Sequence, residues 1–146
     1  MLRTLLLLTV LTSPAWAGDE EPIPEVPVVE AEMDPVARLV GEAASPTMPT
    51  ELAQARFDEI VARGAGALPT LSRIYRDKSS AELEIWVAAR AMGRIGGDGA
   101  RNTLVGGLAS PRIITRLGAV SALELMKDKE SADALEKALL DRKSVV

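Results

Sequence analysis

A run of small residues in the middle of the chain sets the strongest limit on its fold. Residues 86–110 read "WVAARAMGRIGGDGARNTLVGGLAS", and the apolar spacing is that of helices. Side chains this small bury little apolar area by themselves, so they suit a helix core only where a neighbouring backbone approaches closely. The pattern therefore predicts helices in close contact around a small-residue surface made of Ala88, Ala89, Ala91 and Gly93.

The same pattern recurs along the chain with a period in the low thirties. A shift of 31 residues aligns Ala91 with Ala122, and a shift of 33 in the other direction aligns Ala67 with Ala100. Such a period, with two helices in each unit, is typical of a helical repeat. The sequence therefore predicts an all-α fold over residues 35–146, a short α-solenoid of about three helix pairs.

Capping residues, prolines and glycines predict where these helices begin and end. The signals predict helices over 50–63, 68–77, 80–95, 98–108, 111–126 and 129–143, with a partial first unit at 35–45. Thr50, Ser79 or Ser80, and Asp98 are the predicted N-caps. Two apolar stripes are expected to face inward, one of Ala100, Leu104 and Leu108 and one of Ala132, Leu135 and Leu139.

Two glycines stand inside a predicted helix. Gly106 and Gly107 each cost about 1 kcal/mol relative to alanine in a helix interior. Glycine at such a place usually has a packing reason. Close packing against the next unit is therefore favoured over the alternative, a shallow place where the backbone of a ligand approaches.

Residues 60–77, 88–110 and 118–141 resemble HEAT repeats, in the short bacterial form related to the phycobilisome-lyase HEAT-like repeats. They share a small-residue-rich first helix, a short turn and a second helix with leucines at intervals of four. The resemblance implies a solenoid whose second helices line the concave contact surface. In that family an arginine early in the first helix often pairs with an aspartate between repeats. Arg116 fits the arginine position, but Ser110 replaces the aspartate, so a continuous ladder of such pairs is not expected.

The N-terminus has the three parts of a signal peptide. Arg3 is followed by an apolar run at 5–11 and by the small-x-small sequence Ala15-Trp16-Ala17. The run is far shorter than the roughly 20 residues that span a bilayer. Residues 1–17 are therefore expected to be removed on export, leaving a periplasmic or secreted protein without stable membrane insertion.

An acidic segment follows the signal peptide. Residues 18–34 contain seven acidic residues, no basic residue and several prolines. This composition favours a disordered tether, because it offers little apolar area to bury. A solvated spacer is favoured over a docking strip for a basic partner.

The composition narrows the classes of function. The chain has no Cys and no His, which excludes disulfides, most zinc sites and the Ser-His and Cys-His catalytic pairs. No metal, no cofactor and no enzymatic activity is expected. Residues 35–146 hold 16 of the 17 basic and 14 of the 21 acidic residues, so the concentrated basic surface of a nucleic-acid binder is not expected either.

We expect a protein partner on the second helices. The outward repeat positions there are Arg73, Arg76, Asn102, Asp133 and Lys137. Trp86 joins them because tryptophan is enriched at binding hot spots, although a buried place between repeats is favoured for it. The leading interpretation is a non-catalytic binding or scaffold module. The alternatives are a lyase or maturation factor, as the phycobilisome-lyase resemblance implies, and part of an assembly that stacks through the C-terminal repeat.

Cleavage after Ala17 predicts a mature chain that begins at Gly18. Intact mass spectrometry of protein from the exported fraction should therefore find a chain without its first 17 residues. A chain that still carries Met1 to Ala17 in that fraction would contradict the predicted cleavage site and the expected export.

Overall fold

The computed structural model describes residues 32–143, and these form helices and no strand. The helices are α1 (Pro35–Ala43), α2 (Thr50–Ala62), α3 (Leu68–Arg76), α4 (Glu82–Ile95), α5 (Asp98–Gly107), α6 (Ile113–Met126) and α7 (Lys129–Lys143). The helices α2–α3, α4–α5 and α6–α7 correspond to the three predicted repeats. Within the second and third repeats the two helices pack on each other, whereas α2 and α3 both pack on α1 and α4, and α1 packs mainly on α2. The all-α fold is thereby confirmed. The predicted signal peptide, and the tether up to residue 31, lie outside the described residues.

All three predicted N-caps differ from the structure, two of them before α2 and α4. Thr50 is the first residue of α2 and not its cap. Before α4, the backbone N–H and the hydroxyl of Ser79 both donate to Asp77, at 2.8 and 2.7 Å, so Ser79 belongs to a separate turn. The cap falls instead at Ala81, whose backbone N–H donates to the carboxylate of Glu84 at 3.0 Å. Serine is a common N-cap residue, but Ser79 is already bound to Asp77.

The centre of the fold is the contact between α4 and α6. Ala89 and Gly93 of α4 meet Gly118 and Ala122 of α6 there. The neighbouring small residues Ala88, Ala91 and Ala119 are also buried. A Cβ atom on Gly93 would lie 2.6 Å from the backbone oxygen of Ala122. A Cβ atom on Gly118 would lie 3.0 Å from the Cβ of Ala89. The helices meet backbone to backbone, as the small residues predict.

The two glycines of α5 have different surroundings. A Cβ atom on Gly107 would collide with the side chain of Tyr75, coming within 2.7 Å of the ring carbon Cζ. The hydroxyl of Tyr75 passes this point and donates to the backbone oxygen of Thr115 at 2.7 Å, which links α3 to α6. Burial raises the pKa of this hydroxyl, so it stays a neutral donor. Gly106, by contrast, has no atom within 4 Å of a Cβ position. The packing interpretation fits Gly107 alone.

The two inward stripes also differ. Ala100 and Leu104 of α5 are fully buried, as predicted. On α7, Ala132 and Leu139 are exposed and Leu135 is half-buried, so the prediction of a buried stripe is wrong there. The reason is position: α7 is the last described helix and packs mainly on α5 and α6.

A charged link joins α5 to the turn before α7. The guanidinium of Arg101 bonds to Asp128 at 3.0 Å and to Asp98 at 2.7 Å, so Asp98 serves an ion pair and not the predicted cap. Asp128 also accepts the backbone N–H of Ser131 at 2.7 Å, in the first turn of α7. The bond from Arg101, followed by those from Ser131, lowers the pKa of Asp128 to about 2.

Gly106→Ala and Gly107→Ala form a matched pair. The methyl of Gly107→Ala would displace Tyr75 from Thr115, so we expect the free energy of unfolding to fall by about 1–3 kcal/mol, as in other overpacked cores. Gly106→Ala meets open space and should gain up to about 1 kcal/mol from helix propensity. Urea unfolding followed by circular dichroism measures both changes. Equal effects of the two substitutions would contradict the packing described for Tyr75.

Asp128→Asn removes the charge of this side chain and keeps its size. Because folding holds the pKa of Asp128 at about 2, against a usual 3.8, the carboxylate stabilises the fold above about pH 4 and loses this effect as the pH falls toward 2. The melting temperature of the parent chain should therefore exceed that of the variant near neutral pH, and the difference should shrink below pH 4. A difference that stays constant with pH would show that the charge is not what Asp128 contributes.

Candidate functional site

A cleft of about 540 Å³ lies between the C-terminal end of α3, the middle of α5 and the start of α6. Three cationic side chains line it, Arg76, Lys78 and Arg112, against one carboxylate, that of Asp77. We call it the cationic cleft. Its walls come from all three repeats, since α3, α5 and α6 belong to the first, second and third, and therefore it depends on the spacing that the contact of α4 with α6 sets.

A hydrogen bond to Thr103 holds Arg76 across the cleft. Its Nη2 donates to the hydroxyl of Thr103 at 3.1 Å, and that hydroxyl donates in turn to the backbone oxygen of Gly99 at 3.0 Å. The bond orients the guanidinium along α5. Arginine has five N–H donors, and in the part of the chain that the structure describes the remaining donors of Arg76 have no protein acceptor.

Arg112 and Asp77 both stabilise the turn that follows α3, at the edge of the same cleft. Arg112 donates to the backbone oxygens of Lys78 and Ser80 at 3.2 and 3.3 Å, and so joins the turn after α3 to the start of α6. Bonds from Ser79 lower the pKa of Asp77, with a smaller contribution from nearby arginines. Asp77 is thus an anion bound within its own turn, and Arg112 fixes that turn in place.

The α5 side of the cleft is open. Asn102 is exposed, and Gly106 follows it one turn later. With no side chain at Gly106, another chain can approach the helix backbone there. The cleft therefore offers a guanidinium, an ammonium and an amide around a shallow surface, which is suited to binding carboxylates.

The structure brings two of the predicted site residues together, since Arg76 and Asn102 both line the cationic cleft. Arg73 lies one turn earlier on α3, with its Nη2 3.7 Å from the carboxylate of Asp34. Asp34 caps α1, where it accepts the backbone N–H of Val36 at 2.9 Å and the hydroxyl of Thr70. The bond from Thr70 is the main cause of the lowered pKa of Asp34.

The other three predicted residues lie elsewhere. Asp133 pairs with Lys129 at 2.6 Å on the surface of α7, and Lys137 borders a separate groove between α5 and α7. Trp86 is half-buried in a groove between α2 and α4, with the guanidinium carbon of Arg90 5.9 Å from its ring centre. The sequence favoured a buried position for Trp86. In the structure the neighbouring residue Ile85 is fully buried instead.

Lys78 and Arg112 were missed by the sequence analysis. Both follow the second helix of a repeat, in the turn that leads to the next repeat. The repeat pattern lies in the helices, and the two turns, 77–81 and 108–112, have equal length but different residue types. The cations in these turns could have been predicted to lie close together, because stacking brings successive turns to the same edge of a solenoid.

Within residues 32–143 no helix is long and apolar enough to cross a membrane. The same part of the chain has no cluster of three or more acidic residues placed to hold a metal ion. A family model described as HEAT repeats matches residues 68–146, more than half of the chain, and this range contains the whole cationic cleft. The model is the general one for these repeats and does not single out the phycobilisome-lyase form. No curated protein and no solved structure matches the chain.

Proposed function

Because the chain belongs to the HEAT repeat family, we propose that it is an exported, non-catalytic module that binds an acidic segment of a partner protein in the cationic cleft. HEAT repeats generally present extended surfaces to other proteins. The observation that carries the proposal is the state of Arg76, which is positioned by Thr103 and, among residues 32–143, has no acceptor for most of its donors. Carboxylates match such donors in geometry and charge.

The neighbouring side chains support the same ligand. Lys78 adds a second cation at the rim, Asn102 adds an amide, and Gly106 leaves room for a peptide backbone. The one carboxylate of the cleft, Asp77, is engaged by Ser79.

Two further parts of the proposal rest on the sequence. Export is supported by the order of a positive residue, an apolar run and a small-x-small site within the first 17 residues. A non-catalytic role is supported by the lack of His and Cys, which removes the commonest general base and nucleophile pairs.

A lyase or maturation factor is the second candidate. The volume of the cleft, about 540 Å³, lies within the range of about 300–1,000 Å³ usual for small-molecule sites. A bound chromophore or small molecule in the purified protein would favour this candidate. Binding of acidic peptides, lost on changes in the cleft, would favour the protein-binding module.

Charge reversal in the cleft tests the proposal. A fluorescent peptide of ten glutamates serves as the probe, and its binding is measured by anisotropy. The double variant Arg76→Glu, Lys78→Glu should bind about tenfold more weakly or worse, because rim cations that faced the peptide now repel it. Binding by the parent chain should also weaken with salt, since exposed charges are screened beyond about 8 Å at physiological ionic strength.

The matched control is Arg90→Glu, Arg94→Glu, which makes the same change in net charge beside Trp86 on the groove between α2 and α4. It should bind like the parent chain. Equal losses in both double variants would mean that only net charge attracts the peptide, and would contradict a site in the cleft. The same variants as baits in the exported fraction then identify the partner, as a protein retained by the parent and the control but not by the cleft variant.

A further inference from the structure

The outer side of α6 carries an apolar stripe that no described helix covers. Ile113, Leu117 and Val120 follow the i, i+4, i+7 spacing of one helix face, and they are 66%, 53% and 37% exposed. At 3.6 residues per turn, Gly118 and Ala122, which contact α4, lie about half a turn away from this stripe. The stripe therefore belongs to the side of α6 that faces away from α4.

Helix α7 extends the stripe into a groove of about 300 Å³. Leu139 lies along it and is 64% exposed, and the half-buried Leu108 and Leu135 also line it. We call this surface the outer groove. A contiguous exposed apolar surface with charged residues at its edge usually marks an interaction site in a soluble domain.

A further repeat in the same register does not fit this surface. Helix α6 docks on α4 because Ala89 and Gly93 allow its backbone to approach. The repeat shift of 31 residues places Val120 and Glu124 at the corresponding positions of α6. A Cβ atom at Gly93 would already lie 2.6 Å from a backbone oxygen, so a glutamate at the equivalent place would collide with a helix at that spacing. The occupant of the outer groove must approach differently.

We propose that the outer groove binds the outer groove of a second copy of this chain, with the two α6 helices antiparallel across a two-fold axis at Val120. In that arrangement Arg116, four residues before the axis, lies opposite Glu124 of the second copy, four residues after it. The symmetry makes this pairing twice. Arg116, Val120 and Glu124 fall within an arc of about 80° on α6, so both charges border the apolar stripe.

The side chains of Arg116 and Glu124 are both able to form the proposed ion pair between the two copies. The Nη1 of Arg116 donates to the backbone oxygens of Ser110 and Pro111 at 2.7 and 3.0 Å, which holds the side chain beside the groove. Among the described residues its other donors have no acceptor. Glu124 is exposed and, within residues 32–143, no cation pairs with it. Apolar contact between the two stripes would bury Leu117 and Val120, while the paired charges fix the direction and register of the helices.

The size of the surface indicates a weak dimer. Ten residues line the outer groove, whereas each side of a standard interface contributes about 20–30 residues. We therefore expect a dissociation constant in the micromolar range, about three orders of magnitude weaker than a nanomolar dimer.

Sedimentation velocity of the full chain, from about 1 μM to about 1 mM, tests the dimer. The parent chain should change from monomer to dimer with rising concentration. Leu117→Glu should remain monomeric at every concentration. Leu52→Glu on α2 is the matched control, because Leu52 is 52% exposed and lies outside the outer groove; it should dimerise like the parent.

Charge exchange tests the antiparallel arrangement. Arg116→Glu and Glu124→Arg each place like charges opposite one another, and each should weaken dimerisation about tenfold. The double variant with both changes should restore it, because the opposite charges then meet again with their signs exchanged. Thermal melts check that each variant is folded, and Glu124→Arg leaves the bonds of Arg116 to the turn before α6 in place.

The contradicting outcomes are distinct. A parent chain that stays monomeric at all concentrations overturns the proposal. A dimer that survives Leu117→Glu overturns the choice of surface. If the double charge variant does not restore the dimerisation lost in Arg116→Glu and Glu124→Arg, the antiparallel register is overturned. Arg76→Glu in the cationic cleft should leave the dimer unchanged, so failure of this inference and failure of the proposed peptide site are separable.

Discussion

The close approach of α4 and α6 is the constraint on which the rest of the structure depends. With no side chain at Gly93, the backbone of Ala122 comes near enough that a Cβ atom would lie 2.6 Å from its oxygen. This contact sets the distance between the second and third helix pairs. At that distance Tyr75 reaches over Gly107 to the backbone of Thr115, and α3, α5 and α6 come to border one cleft. A core of small residues thus positions a polar surface at its edge.

The two arginines of the cleft, Arg76 and Arg112, have different roles because they are bonded differently. Arg112 is bound to the backbone oxygens of the preceding turn and therefore stabilises the cleft. In the described part of the chain Arg76 is bound once, to Thr103, and therefore has donors left for a ligand. Both are cations of the same type, within one cleft, and residue type alone does not separate them. Their different bonds make Arg76 the residue with which the proposed partner would interact.

Period and residue size were enough to predict the helices, the three pairs and the small-residue core, because all of these depend on local patterns. Features that depend on a distant neighbour were not predictable. Gly106 and Gly107 look alike in sequence, and only the position of Tyr75 on another helix separates them. Trp86 and Ile85 differ by one position, about 100° around α4, which decides burial. The stripe of α7 matched that of α5, yet Leu139 has no following helix against it among the described residues.

The contact at Gly93 also gives the domain an uneven stiffness. At Gly93 and Gly118 no side chain separates α4 from α6, so closer approach of the two helices meets the steep repulsion of atoms already in close contact. Near α1 and α2 the chain has a different kind of joint, where Arg56 and Glu42 form an ion pair at 2.8 Å through long, partly exposed side chains that adjust through their rotamers. Under an applied force the domain would therefore deform first at its α1–α2 end, while the part that carries the cationic cleft keeps its shape.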